Sequence, residues 1–382
     1  MNDRGENNLD NVLLFNHDIK LYPPILSVVG CLIKAGQSVA VVGYCSDPDI
    51  IVSLKSNGAT YIEVICNSSN ENAVKKLCKL FIYQRKVKSY IRNAASPDTL
   101  FWIFGNENVW ILHSLVAHYK SIIYLFEVPQ FKISLRYRLL APFVNYANLM
   151  RSAFKVVCCE YNRAHITKAF FGLKELPTVI PNKPEIADFI PVNLSLAGLA
   201  NETRKILLYQ GIFNFPERSL EAFCESVDYL PDEYIVVLMG PESAYRKHLM
   251  EQFQSERVKF ISFISPPHHL SVTSGSYIGF LNYFSPQGDI EACLNTLYCA
   301  PNKIFEYSKY GIPMIGNDVP ALRFLLDECE SGICLTDLTA QGIADAVMRI
   351  SDDYDRFKVN SLKLYDSVNF PALIASISRR DN

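Results

Sequence analysis

Short apolar runs alternate along the chain with longer amphipathic stretches, and this alternation predicts the secondary structure. The runs at 11–15, 38–44 and 57–65 are separated by helical patterns and bounded by polar turns. Continuous apolar runs of this length are typical of parallel strands that are buried on both faces. The first half is therefore predicted to be a doubly wound α/β domain. Its further strands are predicted at 99–104, 121–126, 155–159 and 178–184.

The second half repeats the same alternation after a break rich in proline. The strand at 178–184 runs into that break, so the first domain is predicted to span 1–185 and a linker 186–204. A second α/β domain is predicted for 205–360. Its strands are expected at 205–210, 234–239, 258–264, 277–281 and 312–315, with helices at 219–229 and 341–350.

Composition excludes several classes of protein. A chain of 382 residues with 49% hydrophobic and 20% charged residues is typical of a globular protein of two domains, not of a disordered one. No apolar run approaches the roughly 18 to 20 residues that a membrane-spanning helix needs. The polar start predicts no secretory signal. Eleven cysteines occur without a C-x-x-C pair, which predicts a reducing cytoplasm and neither disulfides nor a zinc site.

Charge is unevenly shared between the two halves. Residues 1–180 carry 20 Lys and Arg against 13 Asp and Glu, whereas the remainder carries 17 against 26. The basic residues concentrate at 75–92 and 137–155, which contain many aromatic residues and no acidic one. Such segments predict peripheral contact with the cytoplasmic face of a membrane. The alternatives are nucleic acid, which no RNA-binding signature supports, and ordinary helices with a solvated basic face.

The segment 301–316, PNKIFEYSKYGIPMIG, predicts a short helix followed by a buried strand. Pro301 suits the first turn of a helix, and Gly311 with Pro313 ends it. Helical spacing turns three residues inward, namely Ile304, Phe305 and Ser308.

Three polar residues of this helix can hold a ligand. Its N-terminus offers free N–H groups to phosphate oxygens, with Asn302 in the first turn. Lys303 adds a positive charge, and Glu306 can accept hydrogen bonds from the diol of a ribose. From spacing alone, an ordinary surface helix with a solvated Lys and Glu remains the alternative.

This segment resembles the nucleotide-sugar-binding motif of the group 1, family 4-like glycosyltransferases of cell-surface polysaccharide synthesis, P-[NL]-K-[LI]-F-E-Y-x-x-x-G-x-P-[VM]-I, and matches each fixed position. The resemblance implies the GT-B fold, an α/β fold with two Rossmann-like doubly wound domains facing a central cleft. The N-terminal domain would bind the acceptor and the C-terminal domain the donor, and residues 361–382 would cross back towards the first domain.

The resemblance also implies the reaction. A hexosyltransferase would move a sugar from a nucleotide donor, a UDP- or GDP-sugar, to a lipid-linked or saccharide acceptor. It would need no cofactor and no metal ion. A non-catalytic GT-B partner subunit is the alternative from another class.

Further donor contacts are carried over from the family by position. In LLYQGIFNFPERSL, Gly211 would allow close backbone approach and Arg218 would hold the donor diphosphate. Gly240 would lie beside the donor, and the backbone near Ile264 would recognise the base. The alternatives are a surface arginine near a helix start and a plain turn at Gly240.

Two departures from the family pattern affect the chemistry. The first glutamate of the Glu-x7-Glu pair is replaced by Tyr298, which could stack or hydrogen-bond at the donor or lie in the core. The first-domain histidine aligns loosely with Phe126, which leaves Glu127 as the nearest functional group.

Three residues of the first domain are candidate catalytic groups. His17 and Asp18 follow the first strand and Glu127 follows another, so all three lie at the carboxyl edge of a parallel sheet, where ligands bind. In an inverting reaction Glu127 or Asp18 would take the acceptor proton, and in a retaining one they would only position or stabilise charge. The alternatives are turn formers and a loop carboxylate.

Overall fold

Two parallel sheets, one in each of two units, form the framework of the molecule. The first unit comprises Met1–Pro181 with Asn369–Asn382, and the second comprises Asn182–Val368. This computed structural model describes residues 9–64, 71–184, 190–215, 217–285 and 287–378.

The sheet of the first unit contains seven strands in its described residues. The strands are β1 (Asn11–Asp18), β2 (Val39–Tyr44), β3 (Thr60–Glu63), β4 (Leu100–Phe104), β5 (Ser121–Leu125), β6 (Lys155–Cys158) and β7 (Thr178–Val179). Their order is β3-β2-β1-β4-β5-β6-β7, and each neighbouring pair is parallel. Successive strands are therefore added on one side of β1 up to β3 and on its other side from β4 onwards. This reversal of strand order at β1 is typical of a doubly wound sheet.

Helices cover both faces of this sheet, since its strands are apolar on both sides. The two core clusters of the unit lie on opposite faces, one containing Val12 and Leu14 and the other Leu13 and Phe15. The helices are α1 (Pro23–Lys34), α2 (Pro48–Ser56), α3 (Ala73–Ala94), α4 (Asn106–Ile111), α5 (His113–His118), α6 (Leu135–Leu140), α7 (Tyr146–Ser152) and α8 (Tyr161–Phe171).

The second unit has a six-stranded parallel sheet in the part of the chain that the structure describes. Its strands are β8 (Lys205–Gln210), β9 (Tyr234–Gly240), β10 (Val258–Ser262), β11 (Ile278–Leu281), β12 (Met314–Asn317) and β13 (Gly332–Leu335). Their order is β10-β9-β8-β11-β12-β13, and each neighbouring pair is again parallel. The prediction of two doubly wound α/β domains is confirmed.

The helices of the second unit likewise pack on both faces of the sheet, around two further core clusters. They are α9 (Glu221–Glu225), α10 (Ala244–Gln252), α11 (Leu270–Thr273), α12 (Ile290–Leu297), α13 (Asn302–Ser308), α14 (Pro320–Arg323), α15 (Ala340–Asp352) and α16 (Tyr354–Asp366). The last helix, α17 (Phe370–Ser378), belongs to the first unit, where Phe370, Ile374 and Ile377 join the core beside α1.

Several element boundaries differ from the predicted ones, and the strand expected at 178–184 covers only Thr178–Val179. Strand β1 continues through His17 and Asp18, which had been expected in a loop, because Asp18 still pairs with β2. Strand β10 ends at Ser262, short of Ile264. The strand expected at 312–315 begins at Met314, after Pro313, which has no N–H to donate to the ladder. Residue 65 of the run at 57–65 lies outside the described residues.

The division into units also differs in detail from the predicted domain boundaries. The chain passes between the units after Pro181 and again after Val368, whereas the sequence pattern placed the boundaries near 185 and 360. Residues 186–189 of the predicted linker are not among those described. Among the helices the structure describes, none combines the length and the apolar character that crossing a membrane requires.

Candidate functional site

Helix α13 carries the motif residues, and two contacts fix it against the second sheet. The Tyr307 hydroxyl donates to the carbonyl of Leu208 in β8 over 2.8 Å. The Tyr307 ring covers Gly279 of β11, where an added Cβ would lie 2.6 Å from the ring. A side chain at Gly279 would therefore push the helix away from the sheet, and with it Lys303 and Glu306.

Lys303 lies among aromatic rings at the carboxyl ends of β8 and β11. Its Nζ is 4.5 Å from the centroid of the Tyr209 ring and 5.8 Å from that of Tyr283. Both rings are buried, and ammonium groups are attracted to the faces of such rings. The amino end of Lys303 is therefore held in place in the free protein.

Arg218 lies on the same tyrosine. Its guanidinium carbon is 4.1 Å from the centroid of the Tyr283 ring, and Nη1 donates to the carbonyl of Glu217. Tyr283 is itself fixed, because its backbone N–H donates to Asn317 Oδ1 and its carbonyl accepts from Asn317 Nδ2, each over 2.8 Å. Two cations thus share one anchored ring.

This crowding changes the ionisation of Lys303. Burial is the largest cause and the nearby Arg218 charge the next, and together they lower the pKa of Lys303 to about 7, although Glu306 opposes them. At neutral pH a substantial part of the Lys303 population is therefore uncharged in the free protein.

Glycine is required at two positions beside Lys303. Gly211 has a φ of +147°, and an added Cβ there would lie 2.7 Å from Lys303 Nζ. A Cβ at Gly240 would lie 1.9 Å from the Gly211 carbonyl oxygen. The two predicted glycines are therefore packed against each other, with Lys303 over the first.

Glu306 is buried in a hydrogen-bonded network, although the sequence pattern had placed it on an available face. Its Oε2 accepts from Gln210 Nε2 over 2.5 Å, and its Oε1 lies 3.4 Å from His269 Nε2. Gln210 in turn accepts from the Thr273 hydroxyl over 2.6 Å. The carboxylate is therefore oriented by Gln210 and His269, the first of which Thr273 holds in place, and it retains lone pairs for further donors.

The other predicted donor residues are Asn302, Tyr298 and Ile264. Asn302 is the first residue of α13. Two positions before it, the carbonyl of Ala300 accepts a hydrogen bond from Asn182 Nδ2 over 2.8 Å. Tyr298 caps the C-terminus of α12. Ile264 follows β10 and packs on the core beneath the sheet. Of the predicted donor residues, those brought together are Gly211, Arg218, Gly240, Lys303 and Glu306.

In the first unit, His17 belongs to a charged cluster at the carboxyl edge of the sheet. His17 Nε2 lies 3.3 Å from Glu107 Oε2, and Arg136 Nη2 lies 3.2 Å from Glu107 Oε1. Burial acts to raise the pKa of Glu107, but hydrogen bonds from His17 and Tyr137 and the Arg136 charge outweigh it and lower the pKa. Glu107 is therefore an anion that can hold the His17 imidazole in place.

Asp18 has a structural environment. Its Oδ1 accepts the backbone N–H groups of Lys20 and Ser46 over 3.2 and 3.0 Å. The first of these bonds caps the 3-10 turn at Ile19–Leu21. Asp18 therefore joins the loops after β1 and β2, while the neighbouring His17 side chain is 43% exposed.

Glu127 and Phe126 lie in different surroundings although they are adjacent. The Glu127 side chain is 59% exposed, and its Oε2 lies 3.6 Å from Arg163 Nη1. Phe126 is buried, and its ring packs with the rings of Phe104 and Tyr22. An aromatic cluster thus occupies the position where many members of the resembled family carry a histidine.

Several residues that shape these sites were not predicted from the sequence. Tyr209 and Gln210 end a strand that had been predicted, and Tyr283 follows another, so their position at a carboxyl edge was a usable signal. Glu107 follows β4, the neighbour of β1, and the same signal could have paired it with His17. His269 and Arg136 carry no comparable signal.

Several solved structures have a fold similar to that of this chain. No family model and no curated protein matches the sequence. The structure of Anabaena HepE in complex with UDP-glucose matches with a TM-score of 0.67 and 14% identity over 96% of this chain and 97% of that one. Sucrose-phosphate synthase from Thermosynechococcus elongatus matches with 0.69 and 14% over 97% of both chains.

A third solved structure is WaaG, a glycosyltransferase involved in lipopolysaccharide biosynthesis, with a TM-score of 0.62 and 12% identity over 96% of this chain and 98% of that one. Each match spans nearly the whole of both chains. This chain therefore has the GT-B fold that these structures share, as the sequence motif implied.

Proposed function

We propose that this chain is a glycosyltransferase that moves a sugar from a UDP- or GDP-sugar to a lipid-linked or cell-surface saccharide acceptor without a metal ion. The observation that carries the proposal is the pair of cations on the Tyr283 ring, Arg218 and Lys303, with Glu306 on the same helix as Lys303. The UDP-glucose complex of HepE, which has the same fold, supports a nucleotide-sugar donor.

The two cations suit the departure of a nucleoside diphosphate. Arg218 can hold phosphate oxygens with its planar fork, and Lys303 can add a point charge. Charge grows on the diphosphate as the glycosidic bond breaks, so groups held rigidly beside it stabilise the transition state more than the ground state. The Glu306 carboxylate would accept the hydroxyls of the donor ribose with the lone pairs that Gln210 and His269 leave unused.

The acceptor would bind to the first unit, where His17 is our candidate for the general base. The imidazole is partly exposed, and Glu107 can stabilise the imidazolium that forms when His17 takes the acceptor proton. Asp18 is committed to two backbone N–H groups, and Glu127 faces Arg163. Of the three candidates, His17 is therefore the one whose surroundings suit a base.

Nucleotide binding tests the proposal directly. In a thermal-shift panel of UDP, GDP, dTDP and CMP, we expect one nucleoside diphosphate to raise Tm by a few degrees. Ligand at about 100 times its Kd stabilises a fold by roughly 2.7 kcal/mol. The Glu306→Gln variant should lose most of that shift, because an amide is a poorer acceptor for the ribose hydroxyls.

The control is Glu225→Gln, which alters an exposed carboxylate of the same unit at the end of α9 and should leave the shift unchanged. If folded protein responds to none of the four nucleotides, the donor site does not exist. The chain would then be better explained as a non-catalytic partner subunit. The aromatic packing of Phe126 and the presence of Tyr298 in place of a glutamate favour that second candidate.

Two surfaces of the first unit support the membrane contact that we also propose, on the cytoplasmic face. On α3, Leu80, Tyr83 and Val87 pack inward, while the opposite face exposes Phe81 and Ile82 among basic residues. The surface around α6 exposes three large apolar side chains beside Arg138, namely Leu135, Leu139 and Phe143, of which Phe143 is 98% exposed. Apolar side chains flanked by basic ones are typical of attachment to anionic lipid.

A flotation assay tests this contact. Wild-type protein should float with vesicles of phosphatidylglycerol and phosphatidylcholine in about equal parts, and less with phosphatidylcholine alone. The double variant Leu139→Ser/Phe143→Ser should bind at least about tenfold more weakly, because each buried side chain contributes roughly 1.5–3 kcal/mol. Phe324→Ser, at an apolar side chain of the second unit that is exposed to the same degree as Leu139, should bind like wild type. Equal flotation of both variants would contradict the assignment.

A further inference from the structure

The two cations of the candidate donor site repel each other. Arg218 stacks on the Tyr283 ring at 4.1 Å, and Lys303 approaches the same ring at 5.8 Å and the Tyr209 ring at 4.5 Å. An arginine is always charged in proteins, so any relief of the repulsion in the free protein has to come from Lys303.

The other groups that face Lys303 supply little compensation. Glu306, on the same helix, attracts the ammonium, but its carboxylate is already engaged by Gln210 and His269. Cys299, just before α13, is buried. Burial raises the pKa of both Tyr209 and Tyr283, so both rings are neutral. Within the described residues, these groups and Arg218 are the ionisable neighbours of the Lys303 ammonium.

We propose that Tyr283 is a positioning residue that holds Arg218 and Lys303 together, and that binding of the donor diphosphate transfers a proton from solvent to Lys303. This inference rests on the proposed function, because it assigns the diphosphate to these two cations. It adds a property that the fold and the motif do not imply, namely that donor affinity depends on pH through one lysine.

The direction follows from the surroundings of Lys303. In the free protein, burial and the Arg218 charge lower the pKa of Lys303 to about 7. A diphosphate between the two cations favours the ammonium and raises that pKa in the complex. Near pH 8 the free protein therefore lacks a proton that the complex carries, whereas near pH 6 both carry it. Affinity should fall as pH rises above about 7, by at most about tenfold per pH unit for one linked proton.

Tyr283 is suited to this role because its backbone cannot move freely. The pair of hydrogen bonds with Asn317 fixes the residue at the end of β11, and its side chain is only 6% exposed. Removing the ring would separate the two cations and admit water to Lys303. Both changes favour the charged lysine in the free protein, so the proton would no longer be taken up on binding.

Calorimetric titration with UDP, and with GDP if UDP does not bind, tests the inference. The heat of binding is measured at pH 8 and at pH 6, each in two buffers of different ionisation enthalpy. We expect uptake of close to one proton at pH 8. At pH 6 Lys303 takes up almost none, and the terminal phosphate of the nucleotide, whose pKa is about 6, releases protons on binding in wild type and in Lys303→Arg alike. The Lys303→Arg variant should bind the nucleotide without proton uptake by residue 303, because arginine does not titrate in this pH range.

The Tyr283 variants separate positioning from folding. Tyr283→Phe keeps the ring and should keep the proton uptake, whereas Tyr283→Leu should lose it and weaken binding severalfold at pH 6. A nucleotide that binds wild type with no proton uptake at pH 8, or with the same uptake in Lys303→Arg, would overturn the inference and leave the proposed function standing. If neither nucleotide binds folded wild type, both are wrong.

Discussion

Replacing Lys303 by methionine is expected to lower kcat/KM for sugar transfer by about 10²- to 10³-fold. The loss of one rigidly held group that stabilises developing charge typically has an effect of this size. The methionine side chain fills a similar volume between Tyr209 and Gly211, so the fold should tolerate it. The rate is measured with the nucleotide sugar that the thermal-shift panel identifies, at saturating acceptor.

The matched control is Lys309→Met, which removes the next lysine of the chain. Lys309 Nζ lies over the Tyr365 ring, outside the cluster around Tyr283. Its loss should change kcat/KM less than about twofold, because the proposed diphosphate contacts do not include Lys309. Excess EDTA should leave the wild-type rate unchanged, because we assign the diphosphate charge to Arg218 and Lys303. Equal losses in Lys303→Met and Lys309→Met, or a rate abolished by EDTA, would contradict that assignment.

The donor half of the candidate site was largely predictable because its signals are local. Asn302, Lys303 and Glu306 lie within a few positions on one short helix, and a motif preserves their spacing whatever surrounds it. Gly211 was predictable for a related reason, since a strand end that admits a ligand or a lysine closely leaves no room for a Cβ.

The parts that escaped prediction depend on contacts between distant residues. Tyr283 joins Arg218, in the loop after β8, to Lys303 on α13, and no spacing in the sequence links the three residues. The burial of Glu306 has the same origin, because Gln210 reaches it from β8 across 96 positions of sequence. A helical pattern predicts which face of α13 a residue occupies, but not what approaches that face.

For the catalytic candidates of the first unit, the position in the sheet could be predicted from the sequence, whereas the side-chain partners could not. The pattern of strands placed His17, Asp18 and Glu127 at one edge of a sheet, and all three do follow or end strands there. It could not rank them, since the ranking depends on partners. The backbone bonds of Asp18 and the pairing of His17 with Glu107 become visible only when β1, β2 and β4 are side by side.

The second large effect is expected at His17, where replacement by alanine should lower kcat by about 10²- to 10⁴-fold if the reaction inverts the sugar configuration. Donor affinity should not change, because we assign the donor to Lys303, Arg218 and Glu306 and give His17 a role only towards the acceptor. Glu107→Gln keeps a side chain of the same shape beside the imidazole but removes the charge that would stabilise the imidazolium, so we expect a smaller loss of the same kind. Single-turnover rates with preformed donor complex separate this effect from binding.

Two control variants distinguish loss of the proposed base from loss of any histidine and from a loss of stability. His118→Ala removes an exposed histidine of the same unit and should leave kcat unchanged. Asp18→Ala should lower Tm, because loss of a helix cap costs roughly 0.5–2 kcal/mol, while lowering kcat far less than His17→Ala does. If Glu127→Gln abolishes turnover and His17→Ala does not, the base is Glu127, and the cluster of His17, Glu107 and Arg136 positions the acceptor instead. The stereochemistry of the product narrows the choice, because inversion in a single displacement requires a group that takes the acceptor proton, whereas in front-face retention the departing diphosphate can take it.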